Sequence, residues 1–475
     1  MFGTRIRRGS GLALLAGMGC LLGAWGAMNA GDTAEAWGAS PSAGLAPAAL
    51  APSVSVETHQ LDNGLTVLLS RDQRLPVVAV EVRYLVGSAN EPAGRSGFAH
   101  LFEHLMFQGS ANFDEEYFEP FQKIGGSVNG TTNTDRTNYY ERVPKEYLEL
   151  ALWMESDRMG GLLDALTQAK LDNQRDVVKN ERRQRYENTP YGMASKYFNN
   201  HLYPEGHPYQ HTVIGSHEDL TAATLDDVKA FFTRHYVASN AIVTVVGDFD
   251  PPATLKMVER YFGSITKGTR TPTPEFTPPA NRAAHIVETD DVKLPRVHLA
   301  FHSPPYLKPG DAALDIFSSI LTGGKTSRLY KPLVYDKKVA KDVSAYQASR
   351  ALGSYFVVQA TAAPGVTVEA LHRELDAALR TALATPPTDD EMARAVNGWR
   401  KSFFARVESV IYRAQMLSTY RHLIGRADYI GQDLARYTTL TPPQVAAAAK
   451  THITPDAALR VDILPAPAAA AEEGR

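Results

Sequence analysis

A short apolar segment, from Gly97 to Phe107, carries two histidines and a glutamate in the order H-x-x-E-H. On an α-helix, residues four apart lie on one face, so His100 and His104 would point the same way, with Glu103 beside them. Two imidazoles at this spacing can hold a zinc ion, and a neighbouring carboxylate can move protons. The order is the inverse of the H-E-x-x-H zinc motif. The segment therefore predicts a helix that forms part of a hydrolytic metal site.

Composition narrows the ligands that such a site can use. The chain has 475 residues, 44% of them hydrophobic, and a net charge of −3. These values are typical of a soluble protein with two or three domains, and they indicate no basic surface for nucleic acid. The sole cysteine, Cys20, lies in an N-terminal apolar run. If that run is removed, only histidines and carboxylates remain to hold a metal.

The N-terminus has the pattern of an export sequence. Arg5, Arg7 and Arg8 precede an uncharged run at 11–27, and small residues follow it. A positive segment, an apolar core and small residues in that order are typical of a secretory signal peptide. We therefore predict a signal peptide at residues 1–30 and a periplasmic location. An uncleaved segment that tethers the protein to the membrane is the alternative.

The rest of the chain divides into two similar halves. After a spacer at 31–53 that is rich in Ala, Gly, Pro and Ser, the order strand, Pro/Gly loop, apolar helix and Gly-rich turn occurs in residues 54–265 and again in 283–465. A Pro-rich linker at 266–282 separates the halves, and residues 466–475 form a tail. We predict an α+β protein with two homologous domains, each a largely antiparallel sheet packed against helices.

Metal chemistry is expected in the first half only. In the second half, the segment Asp311–Asp315 takes the place of the H-x-x-E-H motif and contains no histidine. A zinc site needs at least three protein ligands, so a third must join the two histidines of the first half. The best candidate is Glu181, in the sequence V-V-K-N-E-R at 177–182.

The two motifs together resemble those of the pitrilysin/insulinase-type (M16-like) metallopeptidases. That family joins an inverted zinc motif to a later glutamate in V-V-x-x-E-R, and the separation here, 181 − 104 = 77 residues, is similar to the family's. The resemblance covers about 54–464 and is nearest to the branch of two-subunit bacterial enzymes and mitochondrial processing peptidases. It implies that His100, His104 and Glu181 bind Zn²⁺ and that Glu103 is the general base.

A glycine-rich segment at 125–132 is the candidate substrate contact. It precedes a predicted strand. In the resembling family a peptide substrate adds to such an edge as an extra strand and is held by backbone hydrogen bonds. Gly126, Asn129 and Gly130 would allow the close backbone approach that this pairing needs. A plain glycine-rich turn is the alternative.

Part of the family's machinery is missing from the second half. Active relatives carry an Arg and a Tyr seven residues apart, which help to hold the substrate carbonyl and the developing oxyanion. The matching positions here are Val334 and Lys341. Valine cannot donate a hydrogen bond, and neither Tyr335, Arg328 nor Tyr346 restores the pair at that spacing. The resemblance therefore implies a homologous partner subunit that carries the Arg/Tyr pair and lacks the zinc motif.

These observations predict a zinc-dependent endopeptidase that hydrolyses peptides or unfolded segments with metal-activated water. The chain would be the zinc-bearing subunit of a two-subunit enzyme. The alternative is a non-catalytic subunit of the same fold with a structural or chaperone-like role. The intact Glu103 favours an enzyme, because a scaffold needs no general base. A serine hydrolase is disfavoured because the chain has no G-x-S-x-G motif.

Overall fold

The computed structural model describes residues 52–273, 276 and 279–467. The predicted signal peptide, most of the spacer, part of the linker and most of the tail lie outside the described residues. Within them, no helix is both long enough and apolar enough to cross a membrane.

Eleven strands and fourteen α-helices make up the described part of the chain. The strands are β1 Glu57–Gln60, β2 Thr66–Arg71, β3 Val77–Tyr84, β4 Ser127–Thr132, β5 Thr137–Pro144, β6 Ala241–Gly247, β7 Ala284–Asp290, β8 Arg296–Ser303, β9 Ala340–Ala348, β10 Ser354–Ala362 and β11 Leu459–Pro465. The helices are α1 Phe98–Leu105, α2 Glu119–Lys123, α3 Leu148–Ala165, α4 Gln168–Arg182, α5 Ala194–Leu202, α6 His217–Ala222, α7 Leu225–His235, α8 Pro251–Phe262, α9 Asp311–Thr322, α10 Val368–Ala384, α11 Asp389–Glu408, α12 Val410–Ile424, α13 Ile430–Thr438 and α14 Pro442–His452.

The two sheets repeat one topology. The first has the strand order β1-β2-β6-β3-β5-β4, and the second has the order β7-β11-β8-β10-β9. Without β1, the orders correspond strand for strand, and in each sheet one parallel pair, β2 with β6 or β7 with β11, accompanies antiparallel neighbours. The chain therefore has the predicted α+β fold, with two mixed sheets packed against helices.

The first sheet is covered on both faces. Helices α1 and α3 contact it on one side, and α12, which belongs to the second half of the chain, packs on β3 and β6. All of β3 after its first residue is buried, which explains its nearly continuous apolar sequence. Its one acidic residue, Glu81, accepts hydrogen bonds from Arg83, Asn138 and Ser418. Because Ser418 lies on α12, this buried carboxylate links the halves.

Candidate metal centre

Helices α1 and α4 bring the three predicted ligands together. His100 and His104 project from α1, and Glu181 from α4, with one potential ligand atom of each within 4.8 Å of the others. The Oε2 atom of Glu181 is 3.1 Å from His104 Nε2 and 3.7 Å from His100 Nε2. In the part of the chain that the structure describes, no other group of three such side chains converges in this way.

The ionisation of these side chains suits metal binding. Burial, together with repulsion from His104, lowers the pKa of His100 to about 3, so its imidazole is neutral near pH 7. Burial opposes ionisation of Glu181, but contact with the two histidines and with Arg185 outweighs it and lowers the pKa to about 2. Neutral imidazole and ionised carboxylate are the forms that bind Zn²⁺.

Buried polar atoms that lack a hydrogen-bond partner indicate whether these residues suit a metal ion. His104 Nε2 is buried and, despite its nearness to Glu181, makes no hydrogen bond. The other oxygen of Glu181, Oε1, is held by Arg185 Nη1 at 2.6 Å, which turns Oε2 toward the histidines. A buried polar atom without a hydrogen-bond partner costs free energy of folding. A cation bound between His104 and Glu181 would remove that cost. The donor set of two imidazoles and one carboxylate fits zinc with one position left open.

Glu103 occupies a separate environment beside this group. Its side chain is 1% exposed, and its Oε2 accepts a hydrogen bond of 2.6 Å from Thr132 Oγ1 on β4. Burial raises the pKa of Glu103, while the bond from Thr132 acts in the opposite direction. A carboxylate with a raised pKa, fixed by one hydrogen bond, is suited to accept a proton and give it back. The sequence alone gives Thr132 no role of its own, because its contact with Glu103 depends on how β4 packs on α1.

A second unpredicted residue, Glu91, fixes the start of the ligand-bearing helix. Its buried side chain accepts hydrogen bonds from the backbone N–H groups of Gly97, at 3.0 Å, and Ala99, at 2.7 Å. Gly97 has a φ of +91°, and a Cβ there would lie 2.7 Å from the carbonyl oxygen of Ile214. Glu91 thus satisfies N–H groups that a helix leaves free at its N-terminus, and glycine is required where α1 meets the loop.

Two of the three candidate ligands open onto a cavity of about 1070 Å³. His100 and Glu181 line it from the first half, and residues from the second half, including Tyr346 on β9 and Arg350 just after that strand, form part of the wall. A cleft between two halves of a chain is a usual place for a binding site. The cavity is large enough to admit a segment of extended peptide beside the ligands.

The glycine-rich segment contains the edge strand β4, which pairs only with β5 among the described strands. A Cβ at Gly130 would lie 3.0 Å from Glu103 Cγ, and one at Gly126 would lie 3.1 Å from the carbonyl oxygen of Phe121. Both glycines therefore allow close packing within the protein itself. Asn129 Oδ1 accepts the N–H of Gly130. Contact of Gly126, Asn129 and Gly130 with substrate stays a prediction.

The second half holds a different arrangement at the position equivalent to the metal centre. On α9, the buried Asp311 pairs with Arg436 at 2.5 Å and also accepts hydrogen bonds from Gln347 and Ser349. A guanidinium thus lies against the helix that corresponds to α1. Val334 and Lys341 are not among the residues that line the cavity. The described part of the second half therefore provides no Arg/Tyr pair at the predicted positions.

Comparison with known proteins agrees with this geometry. Residues 66–209 match the family model described as Insulinase (Peptidase family M16), and residues 222–398 match the model described as Peptidase M16 inactive domain. The chain is 32% identical over 387 residues to the zinc protease PqqE of Helicobacter pylori, an alignment that covers 80% of this chain and 86% of that protein. The chain belongs to the M16 peptidase family.

Solved structures of similar proteins share the fold of this M16 chain. A protease from Helicobacter pylori superposes with a TM-score of 0.80 at 29% identity and covers 87% of this chain and all of that one. An M16 inactive domain from Pseudomonas fluorescens gives a TM-score of 0.78 at 21% identity, over 87% of this chain and 98% of the other. The pitrilysin/insulinase-type resemblance predicted from the two motifs is therefore confirmed.

Proposed function

We propose that this M16 chain is a zinc-dependent endopeptidase that hydrolyses peptides or unfolded segments. The observation that carries the proposal is the buried Glu103 beside three converging zinc-type ligands, two of which line a cavity. The similarity to a relative named as a zinc protease supports both the metal and the activity. The site of action we propose is the periplasm, reached through the N-terminal export sequence.

Each side chain has a distinct part in this proposal. His100, His104 and Glu181 would hold Zn²⁺, which supplies Lewis-acid polarisation of the peptide carbonyl and an activated water. Glu103 accepts a proton from the attacking water and then gives it to the departing amine. Thr132 keeps the carboxylate of Glu103 in place through its 2.6 Å hydrogen bond.

The edge strand β4 would position the peptide. Its outer side has no neighbouring strand among those described, so an extended peptide can pair there. The N–H of Gly130 and the carbonyl of Thr131 bond Asn129 Oδ1 and Arg136 Nη1, and a peptide that pairs at these positions would replace those bonds. β4 also carries Thr132, the partner of Glu103. A peptide paired with β4 would therefore lie beside the proposed base. Backbone pairing of this kind binds many sequences and suits an endopeptidase that acts on unfolded segments.

We propose further that the active enzyme has two subunits. Val334 is half-buried against the hydrophobic core of the second half, Lys341 is exposed, and neither lines the cavity, so neither replaces the Arg/Tyr pair there. A homologous subunit that carries this pair, and lacks the zinc motif, would complete the site. If the chain were a non-catalytic subunit, it would keep the same fold, but the buried Glu103 would have no function.

Metal dependence tests the peptidase proposal. The purified chain, incubated with an unstructured peptide, should release fragments slowly, as followed by mass spectrometry. A zinc chelator should stop the cleavage, and added Zn²⁺ should restore it. Cleavage that continues at the same rate in a metal-free preparation would contradict the proposal.

Mixing tests the two-subunit proposal. Addition of a homologous chain with the Arg/Tyr pair should raise the rate of peptide hydrolysis, and a partner with both residues replaced should not. Full activity of this chain as a verified monomer would contradict a two-subunit enzyme and leave the peptidase proposal intact.

A further inference from the structure

Two half-buried arginines of the second half line the cavity and have only neutral hydrogen-bond partners. Arg296 Nε donates to Thr361 Oγ1 at 2.8 Å, and the guanidinium lies 3.7 Å from the ring centre of Tyr191. Arg350 is held in a similar way by an amide and by phenol groups. Within the described residues, neither arginine forms an ion pair with a carboxylate.

The carboxylates of the cavity are already engaged. Its two acidic residues are Glu181 and Asp433. Glu181 faces the histidines and Arg185, and Asp433 pairs with Arg436 and accepts the hydroxyl of Tyr420. The cavity wall therefore has an excess of positive charge, to which a bound zinc ion would add. Such a wall attracts an anionic group on the ligand.

Arg350 is the better placed of the two arginines. Its Nη1 donates to Asn199 Oδ1 at 3.1 Å and its Nη2 to the Tyr355 hydroxyl at 3.4 Å. The guanidinium also lies near the rings of Tyr203, Tyr209 and Tyr355, with centroid distances of 5.8, 5.3 and 4.7 Å. A guanidinium has five N–H donors, so donors remain for a ligand. Asp135 attracts Arg350 through space but does not pair with it directly. Burial of a cation without a directly paired anion is costly, and a substrate carboxylate in contact would offset that cost.

Contacts with the β4–β5 turn tie the segment that carries Arg350 to the end of the strand proposed to receive the peptide. The next residue, Ala351, donates its N–H to Asp135 Oδ2 at 3.0 Å. The other oxygen of Asp135 accepts the hydroxyl of Tyr209, which leaves this carboxylate occupied by neutral donors. Asp135 follows Thr132, the partner of Glu103, by three residues. A peptide that pairs with β4 and continues past Thr132 therefore approaches Arg350.

We propose that Arg350 binds a carboxylate of the peptide substrate, so that the enzyme favours peptides with an acidic group a few residues from the cleaved bond. This inference rests on the proposed peptidase function and adds a substrate class to it. The acidic group is the side chain of Asp or Glu, or the free C-terminus of a short peptide. Arginine suits this function because its planar guanidinium can pair with both carboxylate oxygens.

Matched peptides test the inference with the unaltered protein. We would measure kcat/KM of the zinc-loaded full-length chain for peptides that differ only by Glu or Gln at one position. The position would be varied on both sides of the cleaved bond, and each C-terminus would be free or amidated. At one position, Glu should be favoured about 10- to 100-fold over Gln. If Arg350 instead binds the free C-terminus, amidation of the peptide should lower kcat/KM by the same factor.

Variants assign the preference to Arg350. R350Q should abolish the preference for the acidic peptide, so that kcat/KM becomes equal for the Glu and Gln peptides. R350K should keep a smaller preference, because it retains the charge and loses bidentate pairing. R426Q is the matched control, since Arg426 is exposed and pairs with Asp428 outside the cavity. If R350Q does not fold, the smaller preference expected of R350K, measured with the same peptides, tests the assignment to Arg350.

The results distinguish a failure of the Arg350 inference from a failure of the peptidase proposal. Equal cleavage of acidic and neutral peptides, with either form of the C-terminus, overturns the carboxylate site and leaves the peptidase proposal standing. A preference that persists in folded R350Q also overturns the assignment to Arg350. If the zinc-loaded chain cleaves none of the peptides, either alone or with a homologous subunit that carries the Arg/Tyr pair, the proposed peptidase function fails instead.

Discussion

Thr132 Oγ1 donates a 2.6 Å hydrogen bond to Oε2 of the buried Glu103. Thr132 belongs to the edge strand β4, and Glu103 belongs to the helix that carries the two histidines. The proposed base is thus fixed by the strand that we expect to receive the substrate. Displacement of β4 would move the base as well as the peptide.

The first prediction concerns pH. Burial raises the pKa of Glu103, and the bond from Thr132 partly offsets this rise. T132V removes the offset, so the pKa of Glu103 should rise further. Only the ionised carboxylate can accept a proton, and activity is lost as pH falls through this pKa. The acid limb of the kcat/KM profile should therefore move to higher pH in T132V.

Profiles of the wild type and of T132V, measured with zinc-loaded protein, check this shift. T381V is a control, because Thr381 Oγ1 bonds the carbonyl oxygen of Ala377 on α10, outside the cavity. An acid limb at the same pH in T132V and the wild type would show that this bond does not stabilise the ionised base.

The second prediction concerns metal affinity. Arg185 Nη1 lies 2.6 Å from Glu181 Oε1 and so directs Oε2 toward the histidines. Partners that orient a metal ligand commonly change affinity by about 10- to 100-fold. R185Q should weaken zinc binding by that factor, as measured by competition with a chromophoric chelator. R183Q is the control, since Arg183 bonds Asn180. Tighter zinc binding in R185Q would mean that repulsion between Arg185 and the metal outweighs orientation.

The third prediction concerns stability. Glu91 accepts the N–H groups of Gly97 and Ala99 at the start of α1. Loss of a capping acceptor costs about 0.5–2 kcal/mol. E91A should lower the free energy of unfolding by that amount in urea titrations, and E91Q should lower it less because an acceptor oxygen remains. Equal stability of E91A and the wild type would show that solvent replaces the cap without cost.

The local motifs could be predicted because they rest on short-range geometry. The i, i+4 spacing of His100 and His104 fixes their common face on any helix. The repeated order of elements likewise led to two homologous domains, and the matching strand orders of the two sheets agree with it. Glu181 is assigned as the third ligand through the resemblance to the M16-like family, whose motif separation this chain shares, because no local geometry relates residue 181 to the H-x-x-E-H motif.

Other features could not be predicted because they depend on contacts between distant segments. Strand β7 is an edge strand with mostly exposed or half-buried residues, so it lacks a strong apolar pattern. Strand β9 forms the opposite edge of the same sheet, and most of its residues are also half-buried, so the sequence does not predict it either. The functions of Glu91 and Thr132 depend on contacts that a loop and β4 make with α1 in the folded chain. Nothing local in the sequence marks Arg350, whose environment is built from α5, β10 and a loop.

Replacement of Glu103 by glutamine tests the central claim most directly. Glutamine keeps the size of the side chain but cannot accept the proton, and general-base catalysis commonly contributes about 10²- to 10⁴-fold. We predict that E103Q binds one equivalent of zinc like the wild type but hydrolyses peptide at least about 100-fold more slowly. E146Q, at an exposed glutamate, should keep the wild-type rate. Wild-type hydrolysis by zinc-loaded E103Q would contradict the account.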